Sequence, residues 1–150
     1  MNAVASAGQA RAAHWWSAPI LLMETNSLLR RTVVLTARSL FEGEVHEASS
    51  IAMARGMLAG RAYCGVILAL DSGAGTQPVY DLSLIEQVRD GETACATGMP
   101  IAVMVDRCNA ELPEALRQRD VSRIILKPFR ARDLLELVAE FSSLARRSAS

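Results

Sequence analysis

From Pro19 onward, short continuous apolar runs alternate with segments of helical periodicity. The first run is Ile20-Leu21-Leu22-Met23, and it ends in Glu24-Thr25-Asn26-Ser27, a stretch rich in helix-capping residues. Leu29, Val33, Thr36, Ala37 and Leu40 then recur along one helix face, and Gly43 is expected to stop that helix. Glu44 to Ala48 alternates weakly as a strand. Ser49-Ser50 caps a second helix through Leu58, closed by Gly60. Gly65 to Leu70 is the strongest buried-strand signal, bounded by turns and followed by the loop Asp71 to Pro78. A third helix is predicted over Asp81 to Arg89, and a fourth strand over Ile101 to Val105, introduced by Pro100. Pro113 opens a polar helix to Arg119, and Ile124-Ile125-Leu126 forms a last short strand. Leu134, Leu135, Val138, Phe141 and Leu144 stripe the closing helix.

Five strands therefore alternate with five helices. Strands that are apolar on both faces must be covered on both. The pattern thus predicts an α/β fold, a doubly wound five-stranded parallel sheet with right-handed crossovers. The domain is expected over residues 18–147, preceded by a flexible leader, residues 1–17, rich in Ala, Ser and Gly. His14-Trp15-Trp16 in that leader reads as cover for an edge of the fold, with a partner anchor as the alternative.

Composition narrows the picture. The 150 residues suit a single domain, which at this size buries roughly 70% of its unfolded surface and needs no disulfides. Lys+Arg and Asp+Glu both number 16, and this zero net charge argues against nucleic acid or anionic lipid as a partner. Cys64, Cys95 and Cys108 are odd in number and form no CxxC pair, so they read as buried thiols of a reducing cytoplasm. No signal-peptide run occurs, and nothing approaches the roughly 18 apolar residues of a membrane span. A soluble, cytoplasmic protein is expected.

In an open parallel sheet, chemistry collects at the carboxyl ends of the strands, where strand order reverses. Here those ends supply Glu24, Thr25, Ala69, Asp71, Val105, Asp106 and Lys127. The run Ile20 to Asn26 resembles the opening strand of response-regulator receiver domains of two-component systems, which usually ends in two acidic residues. Ala48-Ser49-Ser50 with its helix, and Tyr63-Cys64-Gly65-Val66-Ile67-Leu68, resemble that family's second helix and third strand. Pro100 to Val105 resembles its fourth strand, and Ile124-Ile125-Leu126-Lys127-Pro128-Phe129 its Lys-Pro-Phe junction. The resemblance covers residues 19 to 145 and implies a flavodoxin-like (βα)5 receiver.

The departures from the family pattern carry the functional reading. By resemblance, the phosphoacceptor aspartate falls on Ala69, the acidic pair on Glu24 and Thr25, and the hydroxyl residue of the fourth strand on Val105. The switch aromatic falls on Ile124, and the lysine is retained as Lys127. Alanine offers no nucleophile, and the loss of carboxylates leaves Mg²⁺ too few oxygen ligands, so metal binding is expected to be weak or absent. No catalytic residue and no metal ligand is assigned. Glu24 and Lys127 are expected to pair across the pocket in place of the metal, with a modest stability effect for Lys127→Met.

The resemblance implies a stand-alone atypical receiver in phosphorelay signalling, acting as a phosphorylation-independent protein-interaction module. A stand-alone domain is expected because the chain ends soon after the last helix. Its partner face would include Ala115, Arg117, Gln118, Arg123 and Ile124, and its partner would be a histidine kinase or another signalling protein. Homodimerisation through the last helix is a further expectation. Two alternatives stand beside this reading. Asp71 is a displaced phosphoacceptor in the first, since a two-residue shift keeps the same side of a strand, although Asp71-Ser72-Gly73 also reads as a turn. In the second, the protein is a flavodoxin-like binder of a small molecule at the loop bearing Gly73 and Gly75. That loop lacks a phosphate-loop fingerprint and reads as flexible. Asp106 reads as a solvated loop residue, and His14 and His46 have no evident acidic or nucleophilic partner.

Overall fold

A computed structural model describes residues 18–121 and 123–149. The leader, residues 1–17 with His14, Trp15 and Trp16, lies outside the described residues. In chain order the elements are β1 (Ile20–Met23), α1 (Ser27–Leu40), β2 (Val45–Ala48), α2 (Ile51–Gly60) and β3 (Gly65–Leu70). They continue with α3 (Ser83–Arg89), β4 (Ile101–Val105), α4 (Leu112–Arg117), β5 (Arg123–Leu126) and α5 (Ala131–Ala149). All strand pairs are parallel, and the sheet order is β2-β1-β3-β4-β5. This is the doubly wound architecture that the two-faced apolar runs require.

Strand alternation divides the core into two layers. Leu21, Met23, Val66, Leu68, Leu70, Val103 and Val105 meet the side carrying Leu58, Leu84, Val88 and Leu116. Ile20, Leu22, Ile67, Ala69, Ala102 and Met104 meet Val33, Ala37, Leu134, Val138 and Phe141 of α1 and α5. β1, β3 and β4 are buried at every position, which is why they read as unbroken apolar runs.

The helix ends have local causes. Asn26 caps α1 by accepting the Leu29 N–H at 2.9 Å, and Ser50 caps α2 by accepting that of Met53 at 3.0 Å. The expectation that Gly43 stops α1 is corrected. The helix ends at Leu40, where Phe41 turns extended and its N–H reaches Ala37 O at 2.9 Å. Gly43 instead leaves room for the Phe41 ring, since a Cβ there would lie 2.6 Å from Cε2. α3 starts at Ser83 rather than Asp81, because the Asp81 carboxylate accepts the Ser83 N–H at 2.9 Å from outside the helix. α4 stops at Arg117, short of Arg119, and the chain turns through Asp120 at φ 54°. α5 runs two residues past the expected boundary at 147. Among the described residues, no helix is long and apolar enough to cross a membrane.

The cysteine reading also needs correction. Cys64 and Cys95 are buried, but Cys108 is exposed on the loop after β4. Burial pushes the Cys64 thiol up to about 11 and raises that of Cys95 as well. Thiolate is the reactive form, and both buried thiols are shielded and protonated at neutral pH. Iodoacetamide at pH 8 is therefore expected to alkylate Cys108 and spare the other two until urea unfolds the chain. Peptide mass spectrometry checks this, and rapid labelling of Cys64 in the folded protein would contradict the burial.

Candidate functional site: a charge-paired cleft at the carboxyl edge of the sheet

β1 and β3 are neighbours whose crossovers leave in opposite directions, and this reversal opens a cleft of about 300 Å³ above their carboxyl ends. Glu24, Thr25 and Asn26 line it after β1, and Ala69, Leu70 and Asp71 at the end of β3. Asp81, Asp106 and Lys127 complete the polar wall.

Glu24 is the best-anchored of these side chains. It is 1% exposed, and its Oε1 accepts a hydrogen bond from Lys127 Nζ at 2.5 Å. Its Oε2 accepts the Asn26 N–H at 3.1 Å and the Thr25 hydroxyl at 3.5 Å. The Arg30 guanidinium donates to the Glu24 main-chain carbonyl at 2.9 Å. Lys127 is held from its own side, because its N–H continues the β4–β5 ladder onto Val105 O at 2.7 Å. Both carboxylate oxygens of Glu24 are thus engaged by protein donors.

The structure brings Glu24, Thr25, Ala69, Asp71 and Lys127 to one cleft but leaves Val105 out of it. Val105 is 0% exposed and faces the core layer of α2 to α4, the side opposite Ala69 and Met104. Its register partner Leu70 does line the cleft, so the face of the sheet alone does not decide which residues reach it. Asp71 is exposed, and its Oδ1 accepts the Gly73 N–H at 2.8 Å in an Asx turn. As a donor set for Mg²⁺ the cleft fits poorly. Glu24 is taken by an ammonium, Ala69 brings no oxygen, and no group of three His, Cys, Asp or Glu could hold a metal ion among the described residues.

A second network closes the rim of the cleft, and sequence reasoning missed it. The Arg107 guanidinium, on the loop after β4, reaches across to the loop after β3. Nε donates to Ser72 Oγ at 3.1 Å, and Nη2 to the carbonyls of Ser72, Gly73 and Gly75 at 3.3, 3.1 and 3.0 Å. Nη1 reaches Thr76 O at 3.4 Å. Tyr80 OH donates to Arg107 O, and Val79 N–H to Ser72 O at 3.0 Å. The Ser72 hydroxyl is also the largest of the influences that hold the Asp106 carboxyl below the ordinary aspartate range. The loop read as flexible is therefore tied to a guanidinium. Its polarity is the reverse of a phosphate loop, which turns N–H groups inward, whereas this loop turns carbonyl oxygens. The available signal was a charged Asp106-Arg107 pair directly after a buried strand.

His46 gains partners that its sequence neighbourhood did not suggest. Nδ1 lies 3.0 Å from Tyr63 OH and Nε2 2.9 Å from Glu44 Oε2, which ties the edge strand β2 to the foot of β3. On the expected partner face, Arg117 pairs with Glu114 at 2.6 Å, and Gln118 reaches the same carboxylate at 3.4 Å. Arg123 bridges Glu136 and Glu140 of α5 at 2.9 and 3.1 Å. Ile124 is partly buried against the core, and Ala115 is half-buried. This face has its charges paired internally.

No family model matches the chain, and no curated protein matches it. Solved structures do match. The receiver domain of the Francisella response regulator 1452 superposes with a TM-score of 0.68 at 12% identity, covering 85% of this chain and 98% of that one. A CheY-like response regulator receiver domain from Methanospirillum hungatei JF-1 gives 0.67 at 15% identity, covering 87% and 97%. A response regulator receiver protein from Pseudomonas putida gives 0.66 at 25% identity, covering 82% and 96%. With its five parallel strands in the order β2-β1-β3-β4-β5 and its cleft at their carboxyl ends, this chain has the fold of a response-regulator receiver domain.

Proposed function

We propose that the chain is an atypical receiver domain that signals through protein contact and not through phosphorylation of its cleft. The observation that carries this reading is the Glu24–Lys127 pair at 2.5 Å in the cleft that Ala69 also lines, Ala69 being the residue on which the family's phosphoacceptor falls by resemblance. Phosphoryl transfer to a carboxylate needs a nucleophile and a metal to neutralise the phosphoryl oxygens. Ala69 is no nucleophile, and Lys127 already neutralises the buried Glu24. Asp71, Asp81 and Asp106 then leave the cleft walls negative, an environment that repels a phosphoryl group in the absence of a cation. The domain is accordingly no enzyme, binds Mg²⁺ weakly or not at all, and acts in the cytoplasm. Its partner, a histidine kinase or another signalling protein, would meet the face of Ala115, Arg117, Gln118, Arg123 and Ile124. A homodimer through α5 is the self-associating form of the same idea. The inward carbonyls around Arg107 count against a phosphate-bearing small ligand at the Gly-rich loop.

An amide NMR titration with beryllofluoride and Mg²⁺ tests the proposal. The expected result is no saturable shift at millimolar metal. Saturable shifts near Asp71 and Lys127 that vanish in Asp71→Ala would establish a displaced acceptor and overturn the reading.

A further inference from the structure

The phosphorylation-independent reading leaves open what sets the conformation of the partner face. We propose that Arg107 is the internal effector of this domain, a latch that joins the loop after β3 to the loop after β4 and thereby positions α4. The inference rests on that reading, since a phosphorylated pocket would set the same loops by other means.

Three observations carry it. First, one side chain makes five hydrogen bonds to Ser72, Gly73, Gly75 and Thr76, so a single guanidinium organises most of the loop after β3. Arginine suits this task because its planar fork presents five donors and cannot lose its charge. Second, the latch is fastened at both ends. Tyr80, which precedes α3, donates to the Arg107 carbonyl, and the 1% exposed Ser72 places its hydroxyl between Arg107 and Asp106. Third, the latched segment leads directly into α4. Asn109, two residues on, accepts the N–H of Leu112, the first residue of that helix, at 2.8 Å. The path from the cleft rim to Ala115, Arg117 and Gln118 therefore runs through one short, hydrogen-bonded stretch of chain. In this scheme a cation built into the protein holds the switch loops in one state. Partners that bind the face with α4 as positioned favour the latched state, and those that need α4 elsewhere must break it.

The test compares amide spectra and hydrogen exchange of the full chain with those of Arg107→Gln. Losing charge-assisted bonds should speed exchange of the amides of residues 72–80 by about tenfold or more. The decisive expectation is that the amides of Leu112–Arg117 also shift, while those of β1 and β3 stay in place. Ser72→Ala, which removes one of the five bonds to Arg107 together with the hydroxyl's contact to Asp106 and keeps the arginine, should move the same α4 amides in the same direction by less, and it serves as the readout should Arg107→Gln fold poorly. Perturbation confined to residues 72–80 and 106–108, with α4 unmoved in both variants, overturns the latch. The beryllofluoride titration of the unaltered chain separates this failure from a failure of the phosphorylation-independent reading, because it reads the cleft without touching Arg107.

Discussion

Lys127→Met is expected to destabilise the folded protein by about 3 kcal/mol, the lower end of the cost of stripping one partner from a buried ion pair. Sequence reasoning anticipates a modest effect because it takes the pair as only partly buried, a specificity device more than a large stabiliser. The structure changes the magnitude, because Glu24 is 1% exposed and its carboxylate would be left buried without a cation. The cost stays at the lower end because the Lys127 side chain is 22% exposed, so water reaches the ammonium's side of the pair. The Asn26 N–H also continues to serve the carboxylate. Glu24→Gln in the same chain removes the orphaned charge while keeping an acceptor of the same shape. The double variant should therefore recover to within about 1 kcal/mol of the parent. Urea unfolding of the three proteins reads the cycle. A single variant as stable as the parent would mean that the pair does not hold the site.

Gly65→Ala is expected to cost about 2 kcal/mol, although a glycine-to-alanine change in a strand would ordinarily help. Gly65 opens β3 beneath Phe141 of α5, and a Cβ at this position would lie 2.5 Å from Cδ2 and 2.7 Å from Cε2 of that ring. Phe141 is 0% exposed and packs in the layer between the sheet and α1 and α5, so the ring cannot swing away without moving the helix. Phe141→Leu on its own loses packing, whereas Gly65→Ala/Phe141→Leu removes the clash. The double variant should be more stable than the sum of the two single changes predicts. Strict additivity in thermal or urea unfolding would show that the ring and the strand do not meet as described.

Much of this protein is legible one residue at a time. Apolar runs such as Ile20-Leu21-Leu22-Met23 and Gly65 to Leu70 have no polar face to show to water, so they require cover on both sides and lead to a parallel, doubly wound sheet. The capping residues Asn26 and Ser50 mark helix starts because a side-chain oxygen satisfies an orphan N–H only a few positions away. The bare methyl of Ala69 and the pairing of Glu24 with Lys127 could be anticipated for the same kind of reason, since strand ends place them at one edge of the sheet. Hydrophobic periodicity encodes the face on which a residue lies.

Periodicity does not encode which loops meet above that face. Glu24 and Lys127 are 103 positions apart, and only the insertion of β1 between β2 and β3 decides how deep their pair is buried. Arg107 and the carbonyls it gathers lie 31 to 35 positions from it, in a loop whose glycines read locally as slack. Val105 is buried in the core layer and not in the cleft, His46 finds Tyr63 at the foot of β3 across β1, and Cys108 is exposed because its loop is. The sequence by itself determined the order of the elements and their faces, because short-range sterics and burial write these into neighbouring residues. The depth of the ion pair and the guanidinium tie between the two loops were decided only by the tertiary structure, since strand order and register bring together groups whose own neighbourhoods say nothing of each other.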